Sequence, residues 1–185
     1  MKVRQLTADD ASAYQRLRLL ALQESPTAFS SSYSDEAGRS PSEVASRLTP
    51  APDGSLCVFG AFVDDRLAGF LAFVRPRRAK LVHGAELHGM YVCPEFRRRG
   101  LAGALVDAVL AHARSLGGVR QLKLAVNATN LAARSLYRSR GFTLFGLEPD
   151  ALCIDGRYYD EECYILRHTD PTSRPDVRPW RSGTS

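Results

Sequence analysis

ELHGMYVCPEFRRRGLAG, residues 86–103, is the stretch from which the fold of this chain follows. Its first part, 86–92, has the composition of a strand, Pro94 ends that strand, and a basic loop with arginines at 97–99 opens directly into a helix. A helix N-terminus presents unpaired backbone N–H groups and the positive end of a dipole, which together bind phosphate. Two glycines and an alanine within 100–103 keep the first helical turn accessible to a ligand. The segment therefore predicts a pyrophosphate-binding turn between a strand and a helix.

Two other phosphate-binding loops do not fit this sequence. A P-loop requires GxxxxGK followed by Ser or Thr, and a dinucleotide fingerprint requires GxGxxG; neither run occurs in the chain. The plain alternative is a solvated basic loop ahead of a helix of small residues. The segment by itself leaves that alternative open.

Patterns on either side of this segment predict a mixed sheet. Strands are predicted over 3–6, 56–63, 67–74, 86–92, 121–126, 142–147 and 158–166, and helices over 11–24, 40–48, 101–116 and 130–140. The order is β-α-α-β-β-β-α-β-α-β-β. Two late β-α-β passages imply neighbouring parallel strands, whereas the early hairpins are antiparallel. We therefore expect an α/β (α+β) fold, a mixed sheet flanked by helices on both faces.

Local signals mark helix starts and the extent of the domain. Thr7-Ala8-Asp9-Asp10 resembles a capping box with Asp in place of Glu, and Ser40-Pro41-Ser42-Glu43 is a typical helix start. The serine-rich stretch 27–38 is predicted to be a loop or an irregular helix. We expect one domain over residues 1–168 and a disordered tail over 169–185, because the tail is rich in proline and poor in apolar residues.

Composition limits the classes of function. The 185 residues carry a formal net charge of +5, which permits nucleic-acid binding without demanding it. No zinc finger, basic zipper or aromatic RNA-binding signature occurs, so a nucleic-acid partner is not expected. No apolar run is long enough to span a membrane, and the N-terminus lacks the apolar stretch of a signal peptide. We therefore expect a cytoplasmic protein that does not bind membranes.

The cysteines point to neither disulfides nor a metal site. Cys57, Cys93, Cys153 and Cys163 form no CxxC pair and show no ligand-like spacing with the histidines. Each lies in or beside an apolar run. We expect buried free thiols and no metal.

Several short motifs around the basic loop occur together in a known family. The run Arg97-Arg98-Arg99-Gly100-Leu101-Ala102 fits [Q/R]-x-x-G-x-[G/A], and Val92-Cys93-Pro94 before it fits Val-x-Pro. Asn127 ends the next strand, and residues 133–137 and 141–142 fit Ala-x-x-Leu-Tyr and Gly-Phe. In this set and order, the chain resembles the GNAT superfamily of acyl-CoA-dependent N-acyltransferases. The resemblance implies a mostly antiparallel sheet in which one parallel pair of strands splays apart at the cofactor.

The resemblance also implies an activity. We expect an N-acetyltransferase that moves an acetyl group from acetyl-CoA to a primary amine by direct attack in a ternary complex. The acceptor, a small amine or a protein amine, is not identified by the sequence. A non-catalytic acyl-CoA-binding module with a regulatory or sensing role is the alternative, because the phosphate loop only binds. A homodimer is a further expectation, since many members of the superfamily are dimers.

The resemblance assigns a cofactor site residue by residue. The pyrophosphate is expected on the amides of the signature loop, and the pantetheine arm along the strand before it. Asn127 and Asn130 resemble positions that contact the arm, although Asn127 also fits a loop residue that caps the next helix. The expected cofactor-binding residues are Met90, Tyr91, Val92, Arg97, Arg98, Arg99, Gly100, Leu101, Ala102, Gly103, Asn127, Asn130 and Tyr137.

Tyr137, Glu86 and His88 are the expected catalytic residues. Tyr137 matches the family's helix tyrosine, whose hydroxyl points at the cofactor sulfur. A tyrosine with a pKa of about 10 is a weaker acid than a thiol with a pKa of about 8.5, so a hydrogen bond to the leaving thiolate describes its role better than proton transfer. Glu86 is the leading base, since burial in an apolar strand would raise its pKa, and His88 on the same face is a rival or relay. The structural alternatives are sheet packing for Tyr137 and exposure at the sheet edge for Glu86 and His88.

The acceptor is expected on the side opposite the cofactor, between segments 27–38 and 147–159. Acidic side chains in these segments would attract a cationic acceptor, although carboxylates in loops are usually only solvated. The residues concerned are Asp35, Glu36, Glu148, Asp150 and Asp155.

Overall fold

The computed structural model describes residues 1–167, so the tail predicted over 169–185 lies outside the described residues. The strands are β1 (Lys2–Gln5), β2 (Leu56–Val63), β3 (Arg66–Val74), β4 (Gly84–Val92), β5 (Gln121–Asn127), β6 (Thr143–Ile154) and β7 (Arg157–Arg167). The helices are α1 (Ala11–Glu24), α2 (Tyr33–Ala37), α3 (Pro41–Leu48), α4 (Leu101–Ser115) and α5 (Leu131–Ser139). Within the described chain, no helix is long and apolar enough to cross a membrane.

One mixed sheet contains all seven strands, in the order β1-β2-β3-β4-β5-β7-β6. The pair β4–β5 is parallel, and the other neighbouring pairs are antiparallel. The predicted fold class, a mixed and mostly antiparallel sheet with a parallel pair in its interior, is therefore confirmed.

Helices cover both faces of this sheet. Successive side chains of a strand point to opposite faces, so Gly69 and Phe70 of β3 mark the two sides. The Phe70 ring packs edge-on against Tyr14 of α1, with ring centroids 5.1 Å apart. A Cβ atom placed on Gly69 would lie 3.4 Å from Leu105 of α4. Helices α1 and α4 therefore lie on opposite faces, as predicted.

Capping side chains fix where the early helices begin. The Thr7 backbone N–H donates to Asp10 Oδ2 at 2.9 Å, and the Ser40 N–H donates to Glu43 Oε2 at 2.7 Å, as both predicted capping signals require. The stretch 27–38 also contains a capped helix, α2, whose Ser32 N–H donates to Asp35 Oδ2 at 2.7 Å. Because α2 has five residues, its apolar periodicity was too short to be recognised.

The end of the chain differs from the prediction in one respect. The passage β5-α5-β6 does not give neighbouring parallel strands, because β7 lies between β5 and β6 and is antiparallel to both. The interior strand is buried on both faces and the edge strand is not: Tyr164 and Ile165 of β7 are buried, whereas Leu144 and Leu147 of β6 are about half exposed. The strand β6 also runs on to Ile154, beyond the predicted limit of Leu147.

Strands β4 and β5 pair over a short length only. Their parallel register covers Gly84–Glu86 against Gln121–Lys123 and stops there. Beyond that point β4 bulges: its register with β3 shifts between Phe70 and Ala72, and Gly89 adopts a positive φ of 59°. A bulge bends its strand, and glycine adopts the left-handed conformation without strain. The two strands therefore splay apart, and the gap opens beside residues 87–92.

We expect Gly69→Ala to destabilise the protein, because the missing side chain at Gly69 leaves room for the bent part of β4. The added Cβ would lie 2.7 Å from the backbone oxygen of Tyr91 and 3.1 Å from Val92. Overpacking of this kind costs about 1–3 kcal/mol in the free energy of unfolding. Chemical denaturation would measure it. The matched control is Gly84→Ala on the same sheet, where the nearest atom is 3.5 Å away; equal losses for the two variants would contradict the prediction.

Candidate active site

A groove runs from the splayed end of β4 across the first turn of α4 to α5. Its volume is about 720 Å³. We call it the strand–helix groove, and its walls are formed by Glu24, Ser25, Pro26, Thr27, Ala28, Met90, Tyr91, Val92, Phe96, Arg97, Arg98, Gly100, Leu101, Ala102, Gly103, Thr129, Asn130, Ala132, Ala133, Leu136 and Arg140. Ten of the thirteen residues predicted to bind the cofactor are therefore in one cavity; Arg99, Asn127 and Tyr137 are not among its walls.

The loop before α4 has the backbone geometry of an anion-binding turn. Arg98 and Gly100 both have positive φ angles, 62° and 84°, and Gly100 is the residue before the first turn of the helix. No atom lies within 4 Å of the position that a Gly100 Cβ would take. The amides of the first helical turn have no intrahelical acceptor. The turn therefore offers N–H groups to a ligand that approaches closely at Gly100.

Arg97 is not a free cation, which the sequence could not indicate. Its guanidinium donates to both carboxylate oxygens of Glu24, at 3.0 and 2.7 Å, and its Nε donates to the Val92 carbonyl at 2.9 Å. The same hydrogen bonds hold the pKa of Glu24 below its usual range. Arg97 thus ties the end of α1 to the loop, and Glu24 offsets its charge, whereas Arg98 is also a wall of the groove.

Arg140 is a groove residue that the sequence analysis missed. It follows α5, and its guanidinium lies directly over Gly103, where any Cβ would collide with it. Asp107 of α4 holds it there, accepting hydrogen bonds at 3.2 and 3.4 Å. A side chain at 103 would displace this guanidinium, so Gly103 leaves room for Arg140 beside the groove.

Tyr137 lies behind the groove. Its side chain is 5% exposed and packs edge-on against Phe142, with ring centroids 5.7 Å apart. The hydroxyl donates to the sulfur of Met90 at 3.8 Å, and Met90 is a groove wall. Burial raises the pKa of Tyr137 far above its usual range. The hydroxyl is therefore a hydrogen-bond donor at physiological pH, and the predicted alternative of sheet packing holds at the same time.

The two asparagines shape the entry into α5. Asn127 is buried, and its Oδ1 accepts from the backbone N–H of Thr129 at 2.9 Å, forming the turn before α5. Its Nδ2 has no hydrogen-bond partner. Asn130 caps α5, accepting from the Ala133 N–H at 3.0 Å, and its side chain is a groove wall. The helix cap is therefore Asn130 and not Asn127, and the contact of Asn127 with a cofactor stays a prediction.

A second cavity of about 590 Å³ lies under α1 and α3, on the opposite side of β4 from α4. We call it the acceptor-side pocket, and it is formed by Tyr14, Arg18, Ala28, Phe29, Ser30, Ser31, Arg47, Phe70, Ala72, Glu86, Leu87, His88, Gly89, Lys123, Leu124, Ala125, Phe145, Glu161 and Cys163. Ala28 lines both cavities. Gly89 lines the acceptor-side pocket, and the next residue, Met90, lines the strand–helix groove. The two cavities therefore meet at the bulge in β4.

Glu86 and His88 lie side by side in the acceptor-side pocket. Their charged ends are 3.1 Å apart, and both side chains are about half exposed, at 51% and 54%. The burial that was expected to raise the pKa of Glu86 is therefore absent, because the splay that opens the pocket also exposes this face of β4 to solvent. The catalytic roles of Glu86 and His88 stay predictions.

Glu161 of β7 is a further titratable side chain in this pocket, and the sequence analysis missed it. Burial raises its pKa, and the Glu148 carboxylate opposite it on β6 raises it further. Its position next to β5 depends on the insertion of β7, which the sequence pattern did not predict. Glu161 and His88 both face the pocket near the β4 bulge.

The acidic segments do not form a surface for a cationic acceptor. Glu36 of α2 is 1% exposed, and its Oε2 accepts from Arg39 at 2.6 Å and from Arg47 at 2.7 Å. Asp35 caps its own helix. Segment 147–159, expected as a specificity loop, is mostly the β6–β7 hairpin, and Glu148, Asp150 and Asp155 are not walls of the pocket. The expectation for Glu36 is wrong, because arginines bury and neutralise its charge.

The cysteines and possible metal ligands are not arranged for chemistry. Cys57 and Cys93 are buried as expected, whereas Cys153 is exposed on the edge strand and Cys163 is partly buried. Burial raises the pKa of the Cys93 thiol, which keeps it from acting as a thiolate nucleophile. Among residues 1–167, no group of three or more His, Cys, Asp or Glu side chains could hold a metal ion.

Comparison with known families decides the classification. The model of the acetyltransferase (GNAT) family matches residues 19–142, which include the end of α1, the strand–helix groove and α5. The chain belongs to the GNAT acetyltransferase family. The predicted superfamily and the predicted enzyme class, an acyltransferase, are thereby confirmed.

One curated relative of this GNAT protein matches part of it. An uncharacterized protein of Mycobacterium leprae (strain TN) is 32% identical over 114 residues. The match covers 60% of this chain and 28% of that protein, so the chain spans just over a quarter of the length of this relative.

Solved structures share the fold at low sequence identity. A phosphinothricin acetyltransferase of the GNAT superfamily from Sinorhizobium meliloti, in complex with acetyl-CoA, has a TM-score of 0.79 at 21% identity, covering 96% of this chain and 95% of that one. The protein yncA of Salmonella typhimurium, with its cofactor acetyl-CoA, has a TM-score of 0.75 at 18% identity, covering 96% and 99%. A GNAT acetyltransferase of Streptococcus pneumoniae has a TM-score of 0.77 at 22% identity, covering 90% and 98%.

Proposed function

We propose that this protein is an N-acetyltransferase that moves an acetyl group from acetyl-CoA to a primary amine by direct attack in a ternary complex. The observation that carries the proposal is the meeting of two cavities at the β4 bulge. The strand–helix groove has the basic turn for a pyrophosphate, and the acceptor-side pocket has the groups that accept protons. Direct transfer requires donor and acceptor to reach one point from two sides, and the shared wall at Ala28 and the adjacent walls Gly89 and Met90 provide it.

The groove fits the cofactor in size and in chemistry. Its first helical turn offers amides beside Gly100 and the charge of Arg98, and the edge of β4 over 87–92 has backbone groups that β5 does not pair. Both the Sinorhizobium meliloti and the Salmonella typhimurium structures contain acetyl-CoA. The cofactor, when bound, supplies an acetyl group activated as a thioester. In this chain the turn would bind the pyrophosphate, and Met90, Tyr91 and Val92 would hold the pantetheine arm.

Tyr137 is proposed to donate a hydrogen bond to the sulfur of the cofactor. Its hydroxyl already donates to a sulfur atom, that of Met90. Its raised pKa makes it a poorer acid than an ordinary tyrosine, which favours a hydrogen-bond donor over a general acid. A preorganised donor in a buried site stabilises charge that develops on a leaving group. The N–H near Tyr91 would act in the same way on the thioester oxygen.

The proton of the attacking amine has three possible acceptors in the pocket: Glu86, His88 and Glu161. We propose Glu161 as the base that sets the pH dependence, because its pKa is raised by burial and by Glu148. A general base works best when its pKa is close to the working pH. Glu86 and His88, paired and half exposed, would then relay the proton to solvent.

A non-catalytic acyl-CoA-binding module is the second candidate. The groove would serve it equally well, but a module that only binds does not need the acceptor-side pocket. The identity of the amine, the cytoplasmic location, the homodimer and the single domain over 1–168 stay predictions.

The cofactor assignment is tested by Gly100→Leu, with Gly156→Leu as the matched control. Both glycines have positive φ angles and open space around them, so both variants bear similar backbone strain, and only Gly100 faces the groove. Acetyl-CoA should raise the Tm of the parent protein and of Gly156→Leu, because a ligand that binds the native state stabilises it. It should not shift the Tm of Gly100→Leu. An unchanged shift in Gly100→Leu, or none in the parent, would refute the assignment.

Tyr137→Phe should lower kcat by about 10- to 100-fold, the contribution of a hydrogen bond to a charged group. The affinity for acetyl-CoA should stay close to that of the parent, because the hydroxyl acts on charge that develops during transfer. Thiol release against a panel of amines, at saturating acetyl-CoA, measures kcat. Equal kcat values for variant and parent would remove Tyr137 from the chemistry, and thermal shifts without any release would favour the binding module.

The acidic limb of the pH–kcat/KM profile should belong to Glu161. A base acts when deprotonated, so activity should fall as the pH drops through its raised pKa, above the usual range of a carboxylate. Glu161→Gln should lower activity and flatten this limb. If the limb survives in Glu161→Gln and disappears in Glu86→Gln or His88→Gln, the exposed pair is the base instead.

A further inference from the structure

The helix side of the acceptor-side pocket has a partly buried cation. Arg18 of α1 extends from the helix into the pocket, and its side chain is 12% exposed. Its guanidinium lies over the ring of Phe29, with Cζ 4.3 Å from the ring centroid. Stacking on an aromatic ring fixes the plane of a guanidinium while leaving its N–H groups free to bind. Arg18 is therefore held in one orientation by an apolar contact.

The charge of Arg18 is only partly balanced by the protein. Its nearest carboxylate oxygen, Glu36 Oε1, is 3.9 Å from Nη2, beyond hydrogen-bond distance, and the other oxygen of Glu36 accepts from Arg39 and Arg47. One carboxylate thus faces three guanidinium groups. Burial lowers the pKa of Arg18, as expected for a cation whose lost hydration is not fully replaced. The cluster therefore has a positive charge in excess, directed at the pocket.

The free end of Arg18 points to the place where the two cavities meet. Its Nη1 lies 3.5 Å from the position that a Cβ on Gly89 would take, so the guanidinium reaches the bulge of β4. Arg18 is not a wall of the strand–helix groove, whose arginines are Arg97, Arg98 and Arg140. Its position therefore assigns it to the acceptor and not to the cofactor.

The opposite wall of the pocket, formed by the sheet, has the negative charges. Glu86 and Glu161 are on this wall with His88, and Lys123 beside Glu86 is a cation among them. Arg18 and Arg47 are on the helix wall. The pocket is thus polarised across its width, with carboxylates where an amine would lose its proton and guanidinium groups on the other side.

We propose that the acceptor is a small zwitterion, an amine that also carries a carboxylate or a similar oxyanion, and that Arg18 binds this oxyanion. The inference rests on the proposed acetyl transfer and narrows its substrate class. A planar guanidinium presents paired N–H donors that match the two oxygens of a carboxylate. Arg47, half exposed at the pocket mouth, would add a longer-range attraction. An amine bound at the sheet wall and an oxyanion bound at Arg18 would together orient the nucleophile toward the bulge.

The test compares acids with their amides as acceptors in the thiol-release assay. Free amino acids and the corresponding amino-acid amides share the amine and differ in the anionic group. The amines of the amides are less basic and therefore more often unprotonated, so any preference for the acids must come from binding. We expect kcat/KM for at least one amino acid to exceed that for its amide by about 10- to 100-fold, the contribution of a charge-assisted hydrogen bond.

Arg18→Gln assigns this preference to one residue. It should raise the KM for the acid by about 10- to 100-fold, change the KM for the amide much less, and leave the Tm shift with acetyl-CoA intact. Arg18→Lys, which retains the charge without the planar fork, should fall between the parent and Arg18→Gln. The matched control is Arg16→Gln on the same helix, since Arg16 is exposed, contacts Ser12 and is outside the pocket. A merely structural role for Arg18 would lower activity with acid and amide alike.

Three outcomes would overturn the inference. If amides or uncharged amines are acetylated as well as the acids, or if Arg18→Gln keeps the preference for acids, the proposed acetyl transfer stands and the zwitterionic acceptor is wrong. If acetyl-CoA stabilises the protein but no compound in either class is acetylated, a small zwitterion is again wrong. If acetyl-CoA neither stabilises the protein nor loses its acetyl group, the proposed function fails, and the inference fails with it.

Discussion

The early end of the β4–β5 pairing is the constraint on which both cavities depend. Parallel strands would normally continue their ladder, but here the register stops at Glu86 and Lys123. The bulge at Gly89 bends β4 away, and Gly69 on β3 leaves room for the bent backbone. The gap gives the strand–helix groove its edge on one side and the acceptor-side pocket its opening on the other. Without the splay, Arg18 and Tyr137 would face two sides of a closed sheet.

Features that depend on neighbours in sequence could be predicted. The capping boxes at Thr7 and Ser40, the strand–loop–helix over 86–103 and the turn before α5 are written in short patterns, because caps and turns are decided by a few adjacent residues. Family motifs in the same region supplied the fold class and the enzyme class. Nine of the ten groove residues that were predicted lie in one continuous segment, 90–103, which is why the sequence could indicate them.

Features that depend on distant residues could not be predicted. The partners of Arg97 and Arg140 come from other elements, Glu24 from 73 residues away and Asp107 from 33. Nothing in the local pattern shows that Glu36 is buried by arginines instead of being solvated. The insertion of β7 between β5 and β6 was missed for the same reason, and Glu161 was missed with it. In each case the role of the residue depends on an ion-pair partner or a neighbouring strand that is distant in sequence and becomes adjacent only in the folded protein.

The splay also sets a limit on how far this protein can be stabilised. Strands β4 and β5 do not pair beyond Glu86. The stability that further ladder hydrogen bonds would contribute must therefore come from packing in the core. Substitutions that extend the ladder, such as a residue at 89 that removes the bulge, would strengthen the sheet by closing the place where the two cavities meet. Selection for heat resistance alone would therefore tend to close the cleft, because the open site lowers the stability of the folded protein.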